Sequence, residues 1–234
     1  MAEIEKDHWW FKGRRTIFRY LLRGLKLPEN TRILEIGCGT GGNLTMLKEF
    51  GQVSAVELDE FSRKYASQVA GIEVKYGRLP GELPFADEKF DLICLFDVLE
   101  HVEQDAEALE VLKTRLDKGG LILATVPATK WLYGDHDKIF HHFRRYSRHE
   151  LKEKMRESGM RPLLLGYFNT FLFPLALVAR LADLVFFRGN SVGMNIPAGP
   201  VNKLLYGIFV SERPILKRAI FPFGLSLICI SAID

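Results

Sequence analysis

The feature that most constrains this chain is LEIGCGTGGN, Leu34 to Asn43, where an apolar run passes into a glycine loop and then opens a helical stretch. Gly37, Gly39 and Gly41 let the backbone turn tightly and approach a bound nucleoside with no Cβ in the way. Two acidic positions frame the loop. Glu57 ends the next apolar run about twenty residues on, where a carboxylate can accept hydrogen bonds from both ribose hydroxyls. Glu35, just ahead of the glycines, is unhelpful to a pyrophosphate but compatible with a cationic ligand group. Read through Gly37, Gly39 and Gly42, the same residues also spell the GxGxxG of dinucleotide enzymes, so the loop alone leaves the cofactor class open.

Around this loop the chain alternates short apolar runs with helical stretches, the pattern of βαβ units on a parallel sheet. The runs predict strands at Arg32 to Ile36, Gln52 to Glu57, Glu73 to Lys75, Asp91 to Phe96 and Leu121 to Val126. Helices are expected over Asn43 to Phe50, Glu60 to Ala70 and Asp105 to Asp117, the last stopped by Lys118-Gly119-Gly120. Ser147 and Glu150 have capping-box spacing at the head of SRHELKEKMRESG, and Gly159 supplies its stop. Arg161 to Phe168 and Leu225 to Ala232 read as two further strands, separated by a segment too long for a turn. The expected division is an N-terminal cap helix in 1–30, an α/β core in 31–168 and 224–234, and a hydrophobic helical insert in 169–223.

The bulk numbers exclude little but point one way. With 234 residues, 47% hydrophobic and 26% charged, the composition is that of a globular domain, and a net charge of +3 gives no case for a nucleic-acid partner. Cys38, Cys94 and Cys229 are odd in number and far apart, which favours a reducing, cytoplasmic setting. MAEIEKDHWWFKGRR carries charge where an export signal needs an apolar run, so the mature chain is expected to begin at Met1. Phe168 to Phe187 is about long enough to span a bilayer, but Pro174 and the helically spaced Arg180 and Asp183 argue against it. A buried cap or a homo-oligomer contact is expected there, with peripheral membrane association as the alternative.

Together these residues resemble the class I S-adenosylmethionine-dependent methyltransferases. EIGCGTG matches that family's first motif, Glu57 in VELD its ribose-binding acid, and LPFADEKFDLICLFDVLEH, Leu83 to His101, is similar to its LPFxDxxFDxVxxxxVLEH segment. The resemblance spans Glu29 to Val126 and, more loosely, the helix and two strands that follow. It implies a Rossmann-like seven-stranded α/β sheet with helices on both faces, a last strand inserted antiparallel, and a helical insert before it. It also implies S-adenosyl-L-methionine as cofactor and S-adenosyl-L-homocysteine as product. Carried over by position, Gly37, Cys38, Gly39, Gly41 and Asn43 line the cofactor, and Glu57 holds the ribose. Leu58 packs on the adenine and Leu79 offers a backbone contact. Phe96, Asp97 and Val98 sit near the methionine end, with Glu35 suited to its cationic portion. The family often has Gly-Asp where this chain has Gly77-Arg78, so an acid that would bond the adenine amino group is missing.

Residues for the chemistry are expected at the carboxyl ends of the strands. His101 follows the fourth strand and could titrate near neutrality. The loop DHDKIFHHFRRYS gathers His136, His142, Arg144, Arg145 and Tyr146, and is similar to the H-x-RRYS segment of a bacterial subgroup of these enzymes. Arg144 or Arg145 could grip a carboxylate or phosphate, and His136 or His142 could take a proton. The histidines, with Asp135 and Asp137, match no strong metal-ligand spacing, so no metal is expected. The subgroup also begins with an HWWF-x-x-RR-like segment, which assigns Trp9, Trp10, Phe11 and Arg15 to enclosing cofactor or substrate and Arg14 to the cofactor. The apolar insert favours a small-molecule or peptide acceptor with natural-product, lipid or glycan-lipid character, and the Arg and His loop adds an anionic handle, so O-methylation of a carboxylate rivals that of a hydroxyl. A cofactor-binding module without catalysis, or a membrane-associated one, remains open.

Overall fold

The computed structural model describes residues 2–178, 196–217 and 221–233. The apolar runs form strands β1 Arg32–Ile36, β2 Gln52–Glu57, β3 Val74–Tyr76, β4 Phe90–Phe96, β5 Leu116–Pro127, β6 Met160–Phe168 and β7 Ser226–Ile233. They assemble in the order β3-β2-β1-β4-β5-β7-β6. The first five are parallel to their neighbours, whereas β7 runs antiparallel to both β5 and β6. Strand order reverses between β1 and β4, so the crevice beyond their carboxyl ends is the natural ligand site of this sheet.

Both faces of the sheet are buried, and Ile33, Leu34, Leu92, Ile93, Cys94 and Leu95 are fully enclosed, each aliphatic side chain contributing roughly 1.5–3 kcal/mol. One face is covered by helices α5 (Asp105–Arg115) and α7 (Arg148–Glu157), through Leu109, Leu112, Leu151 and Met155. Helix α7 carries the expected capping box, Ser147 Oγ accepting from the Glu150 amide at 3.2 Å while Glu150 accepts from the Ser147 amide. The other face is covered by α2 (Trp9–Leu22), whose Ile17, Phe18, Leu21 and Leu22 form one helical stripe. A short α1 (Ala2–Asp7) precedes it, so the single N-terminal helix expected from sequence is two. The break is at His8, whose Nδ1 caps α2 by accepting from the Trp10 amide at 3.2 Å.

Two boundaries differ from expectation for identifiable reasons. Helix α3 shrinks to Leu44–Leu47, and the rest of the expected stretch continues as turns. The Lys118-Gly119-Gly120 stop lies inside β5, because α5 ends at Arg115 and the strand begins at once. The register jumps from Phe90↔Leu116 to Leu92↔Leu121, so the glycines serve a bulge, with Gly119 at φ +75°. Helix α4 (Glu60–Ala70) falls where expected, capped by Asp59 and ended by the left-handed Gly71.

After β6, residues 173–178 are helical, and α8 (Gly199–Val210) and α9 (Arg213–Leu216) precede β7. Arg180 and Asp183 lie outside the described residues. Among those described, no helix is long and apolar enough to cross a membrane. Helix α8 lies against α2. The Trp9 amide donates to Asn202 Oδ1 at 2.8 Å, Asn202 Nδ2 donates to the Asp7 carbonyl at 2.9 Å, and Thr16 and Tyr206 hydroxyls meet at 3.1 Å. The crossing is close because Gly13 faces the Phe209 ring, and a Cβ there would stand 2.4 Å from a ring carbon. Gly13→Val is therefore expected to cost about 1–3 kcal/mol by overpacking, read as a melting temperature lowered by roughly 2–4 °C per kcal/mol. An unchanged melting temperature would show that this crossing does not limit stability.

Candidate active site

The glycine loop is set by left-handed backbone at Gly37, Gly39 and Gly41, a conformation that side chains resist. Gly41 packs against helix α4, where an added Cβ would come 3.0 Å from Ala66. Gly39 faces open space and presents its backbone to the crevice. Its amide donates to Glu57 Oε2 at 2.7 Å, and the Asp59 amide donates to Glu57 Oε1 at 2.9 Å, so Glu57 is held at the end of β2 beside the loop. Leu58 next to it is exposed.

Behind the loop Glu35 is 1% exposed. Asn43 Nδ2 donates to its Oε1 at 3.1 Å, while Oε2 has no hydrogen-bond partner among the described residues. Burial pushes its carboxyl up to about 8, Asn43 opposing and the charges of Glu5 and Glu57 adding to the rise. A cation reaching this position would relieve an uncompensated carboxylate.

Beyond β4 the chain enters Asp97 with φ +58°. Its Oδ1 accepts from Thr125 Oγ1 at 3.0 Å and its Oδ2 pairs with Arg14. Arg14 also donates to Thr125 Oγ1 at 2.9 Å, and its guanidinium lies between the Trp10 and Phe18 rings, 5.3 Å from each centroid. Phe96 stacks on Phe18 at 4.3 Å, and Val98 abuts the space beside Gly37. The next turn, Leu99–His101, carries Glu100, which is fully buried with neither carboxyl oxygen hydrogen-bonded among the described residues. Burial drives its pKa up, and the charge of Asp97 adds to the rise.

His101 and His142 meet edge to face at 4.7 Å between ring centroids. Burial and the neighbouring His142 lower the pKa of His101, which keeps that ring neutral at pH 7. His142 Nδ1 lies 3.0 Å from Asp137 Oδ1, and Arg145 Nε donates to the same oxygen at 2.8 Å. Burial alone would raise the Asp137 carboxyl, but hydrogen bonds from His142, Arg145 and the Gly134 amide hold it well below the usual carboxylate range. Asp137 thus orients both side chains.

A cavity of about 740 Å³ joins the glycine loop, Asp97, Glu100 and the histidine corner, while Glu35, Gly41, Glu57, Leu58 and Val98 stand behind or beside its lining. Its polar floor includes Gly37, Cys38, Gly39, Asn43, Asp97, Glu100, His101, His142 and Arg145, and Arg14 and Arg15 also reach it. Trp9, Trp10 and Phe11 from α2, Leu172 and Leu175 after β6, and Leu205 from α8 supply an apolar wall. Two expected residues of the loop after β5 point elsewhere. Tyr146 is fully buried and donates to Asp105 Oδ2 at 2.6 Å, and Arg144 pairs with the same oxygen at 3.1 Å and donates to the Glu103 carbonyl. Both are engaged by Asp105 on the far side of the loop and do not line the cavity, which corrects the expectation that they touch substrate. Leu79 packs in the core, and His136 falls on helix α6 (Asp135–Ile139) with its side chain outside the described structure. Glu100 and Thr125 were not singled out from the sequence, and Asp137 was weighed there only as a metal ligand; for Glu100 the signal was its place beside His101 in DVLEH.

Residues 9–165 match the family described as methyltransferase domain. The chain belongs to this methyltransferase family. It is 26% identical over 129 residues to a probable S-adenosylmethionine-dependent methyltransferase of Mycobacterium tuberculosis, covering 54% of this chain and 46% of that one. It is 34% identical over 108 residues to a ubiquinone biosynthesis O-methyltransferase of Caulobacter, covering 43% of each. The chain spans about half the length of the curated relatives it matches. A putative methyltransferase from Bacillus halodurans has the same fold, with a TM-score of 0.63 at 16% identity, covering 92% of this chain and 97% of that one.

The groups around this cleft fit S-adenosylmethionine, the cofactor named for relatives of this family. The orphaned Glu35 oxygen suits a ligand bearing positive charge, the open face of Gly39 leaves room for a nucleoside, and Glu57 is the one acid at the end of β2. Glu35 also yields a stability test. Its folded pKa lies above its unfolded value, so the folded chain binds the proton more tightly and stability falls as pH rises from the unfolded value through about 8. Glu35→Gln should flatten that fall in melting temperature between roughly pH 5 and 8. Parallel wild-type and variant profiles would mean that Glu35 is ionised and compensated throughout.

Proposed function

We propose that the protein transfers a methyl group from S-adenosylmethionine to an oxygen of a partly apolar acceptor. The observation that carries this is the single cavity in which the glycine loop, a histidine pair and an apolar wall from α2, α8 and residues 172–175 are continuous. Bound there, the cofactor supplies an electrophilic methyl on a sulfonium, and the enzyme's task is mainly to hold the acceptor in line, which alone removes roughly 7–11 kcal/mol of barrier.

The residues divide that task by position. Glu57 would accept from the ribose hydroxyls, with Leu58 beside the adenine, and Gly37, Cys38, Gly39, Gly41 and Asn43 would bound the cofactor. Glu35 would face its cationic amino-acid end. Asp97, fixed by Arg14 and Thr125, separates this half from the acceptor half. Trp9, Trp10, Leu172 and Leu205 exclude water from the apolar body of the acceptor. Its reacting oxygen would lie at the histidine corner, where Arg145 brings positive charge and His101, neutral at pH 7, can take a hydroxyl proton onto a ring nitrogen. A carboxylate acceptor would need no such proton transfer. The Caulobacter relative is named as an O-methyltransferase of ubiquinone biosynthesis, which supports oxygen as the methylated atom. The HWWF and H-x-RRYS segments both contribute cavity residues, as membership of the bacterial subgroup would require.

Calorimetric titration with S-adenosylhomocysteine tests the cofactor half. Tight binding is expected, weakened by Glu57→Ala roughly 10- to 150-fold, the loss of about 1.5–3 kcal/mol of charge-assisted hydrogen bonding. Preference for NAD, or no binding, would overturn the reading. For the acceptor half, transfer of labelled methyl to hydroxyl-bearing apolar acceptors should fall about 10²- to 10⁴-fold in His101→Ala, with the loss growing smaller above neutral pH. Equal rates in the two proteins would remove His101 as the base.

A further inference from the structure

The unexplained group in this site is Glu100. It is fully buried, and neither carboxyl oxygen has a hydrogen-bond partner among the described residues. Leaving a buried carboxylate unsatisfied costs several kcal/mol, so such a group marks a place where something else belongs. The cations nearest in charge, Arg14 and Arg145, are already engaged by Asp97 and Asp137. What does surround Glu100 is nitrogen: a carboxylate oxygen of Glu100 and ring nitrogens of His101 and His142 lie within 4.8 Å of one another.

From this geometry we propose that Glu100, His101 and His142 form a binding site for one divalent transition-metal ion on the floor of the cavity. A tetrahedral site with ligand bonds near 2.0–2.1 Å places ligand atoms roughly 3.3 Å apart, so the three atoms would draw together by about 1.5 Å at most on binding an ion. The surroundings favour it independently. Asp137 holds His142 through Nδ1 at 3.0 Å, which leaves Nε2 for a ligand; a carboxylate behind the outer nitrogen is the usual support of a metal-binding histidine. The charge of Asp97 also acts on Glu100, with those of Arg14 and Arg145 opposing it. Two imidazoles and one carboxylate suit zinc, cobalt, manganese or ferrous iron rather than calcium or magnesium, which prefer all-oxygen shells. Three protein ligands leave a coordination position open, and all three line the cavity where the acceptor would lie. The site deepens the methyltransferase reading, because an acceptor oxygen at that corner would be held by the ion; His101 would serve as a ligand in the metal-loaded protein and as the base only in the metal-free one.

The test uses tag-free full-length protein, stripped with a chelator and titrated with cobalt(II) chloride while visible d–d absorption is followed. One equivalent per chain is expected, with the strong bands of four- or five-fold coordination, and zinc chloride should displace it. Glu100→Gln and His142→Ala should each weaken uptake at least about 10-fold, and His101→Ala, at the most exposed of the three side chains, should do the same. Absence of d–d bands, or uptake unchanged in all three folded variants, would overturn the site. S-adenosylhomocysteine titrated into the same stripped protein separates this from the parent reading. Binding of that nucleoside without cobalt uptake removes the metal alone, whereas cobalt uptake without nucleoside binding keeps the metal site and removes the cofactor assignment.

Discussion

The pair formed by Arg14 and Asp97 holds the roof of the cavity to its floor. Asp97 stands at the sheet's switch point in a left-handed conformation, and Arg14 arrives from α2, which is joined to the sheet only by packing and this contact network. The guanidinium is nearly buried and lies between two aromatic rings, while Asp97 keeps part of its side chain exposed, so the pair is desolvated on the arginine side. Removing one partner leaves the other's charge without its compensation, at a cost below the roughly 3–5 kcal/mol of a fully buried pair. Here the survivor would also lose its position. The Thr125 hydroxyl accepts from Arg14 and donates to Asp97, so the network fixes the relative placement of α2, β4 and β5.

That network sorts the buried carboxylates of the cavity into two kinds. Asp97 and Asp137 are compensated by arginines, and they act as brackets that hold neighbouring side chains in place. Glu35 and Glu100 are buried without an arginine partner and keep oxygens with no hydrogen bond among the described residues. The first pair carries the architecture; burial favours the protonated form of the second, so each would give up its proton only to a cation that reached it. One lies behind the glycine loop and the other at the histidine corner.

Much of this was legible from residue order. Glycine placement, the acid closing β2 and the apolar runs were enough for the sheet, because strands buried on both faces announce themselves by composition. The capping box of α7 could be read directly, since its partners are three residues apart. Direction was not legible. Arg144, Arg145 and Tyr146 are adjacent, yet Arg145 turns toward Asp137 and the cavity while its neighbours turn toward Asp105. Nor was the histidine corner, because Glu100 and His142 meet only once β4 and the loop after β5 are side by side. His8 was hidden for a different reason: its role as a cap depends on its backbone leaving the helix, which no periodicity in the flanking residues signals.

The two halves of the cavity also differ in what they share with relatives. The family match covers residues 9–165 and so contains the glycine loop, Glu57, Asp97, the histidine corner and Arg145. It stops before Leu172, Leu175 and Leu205, which complete the apolar wall. That wall is assembled from the two ends of the chain, since α8 is anchored on α2 by Asn202, Tyr206 and the close approach of Phe209 to Gly13. A change in α8 can therefore reshape the acceptor side through α2 without touching the loop that holds the donor. The same coupling carries a constraint: α2 contributes Trp9 and Trp10 to the wall and Arg14 to the floor, so the wall can be altered only as far as the Arg14 clamp tolerates.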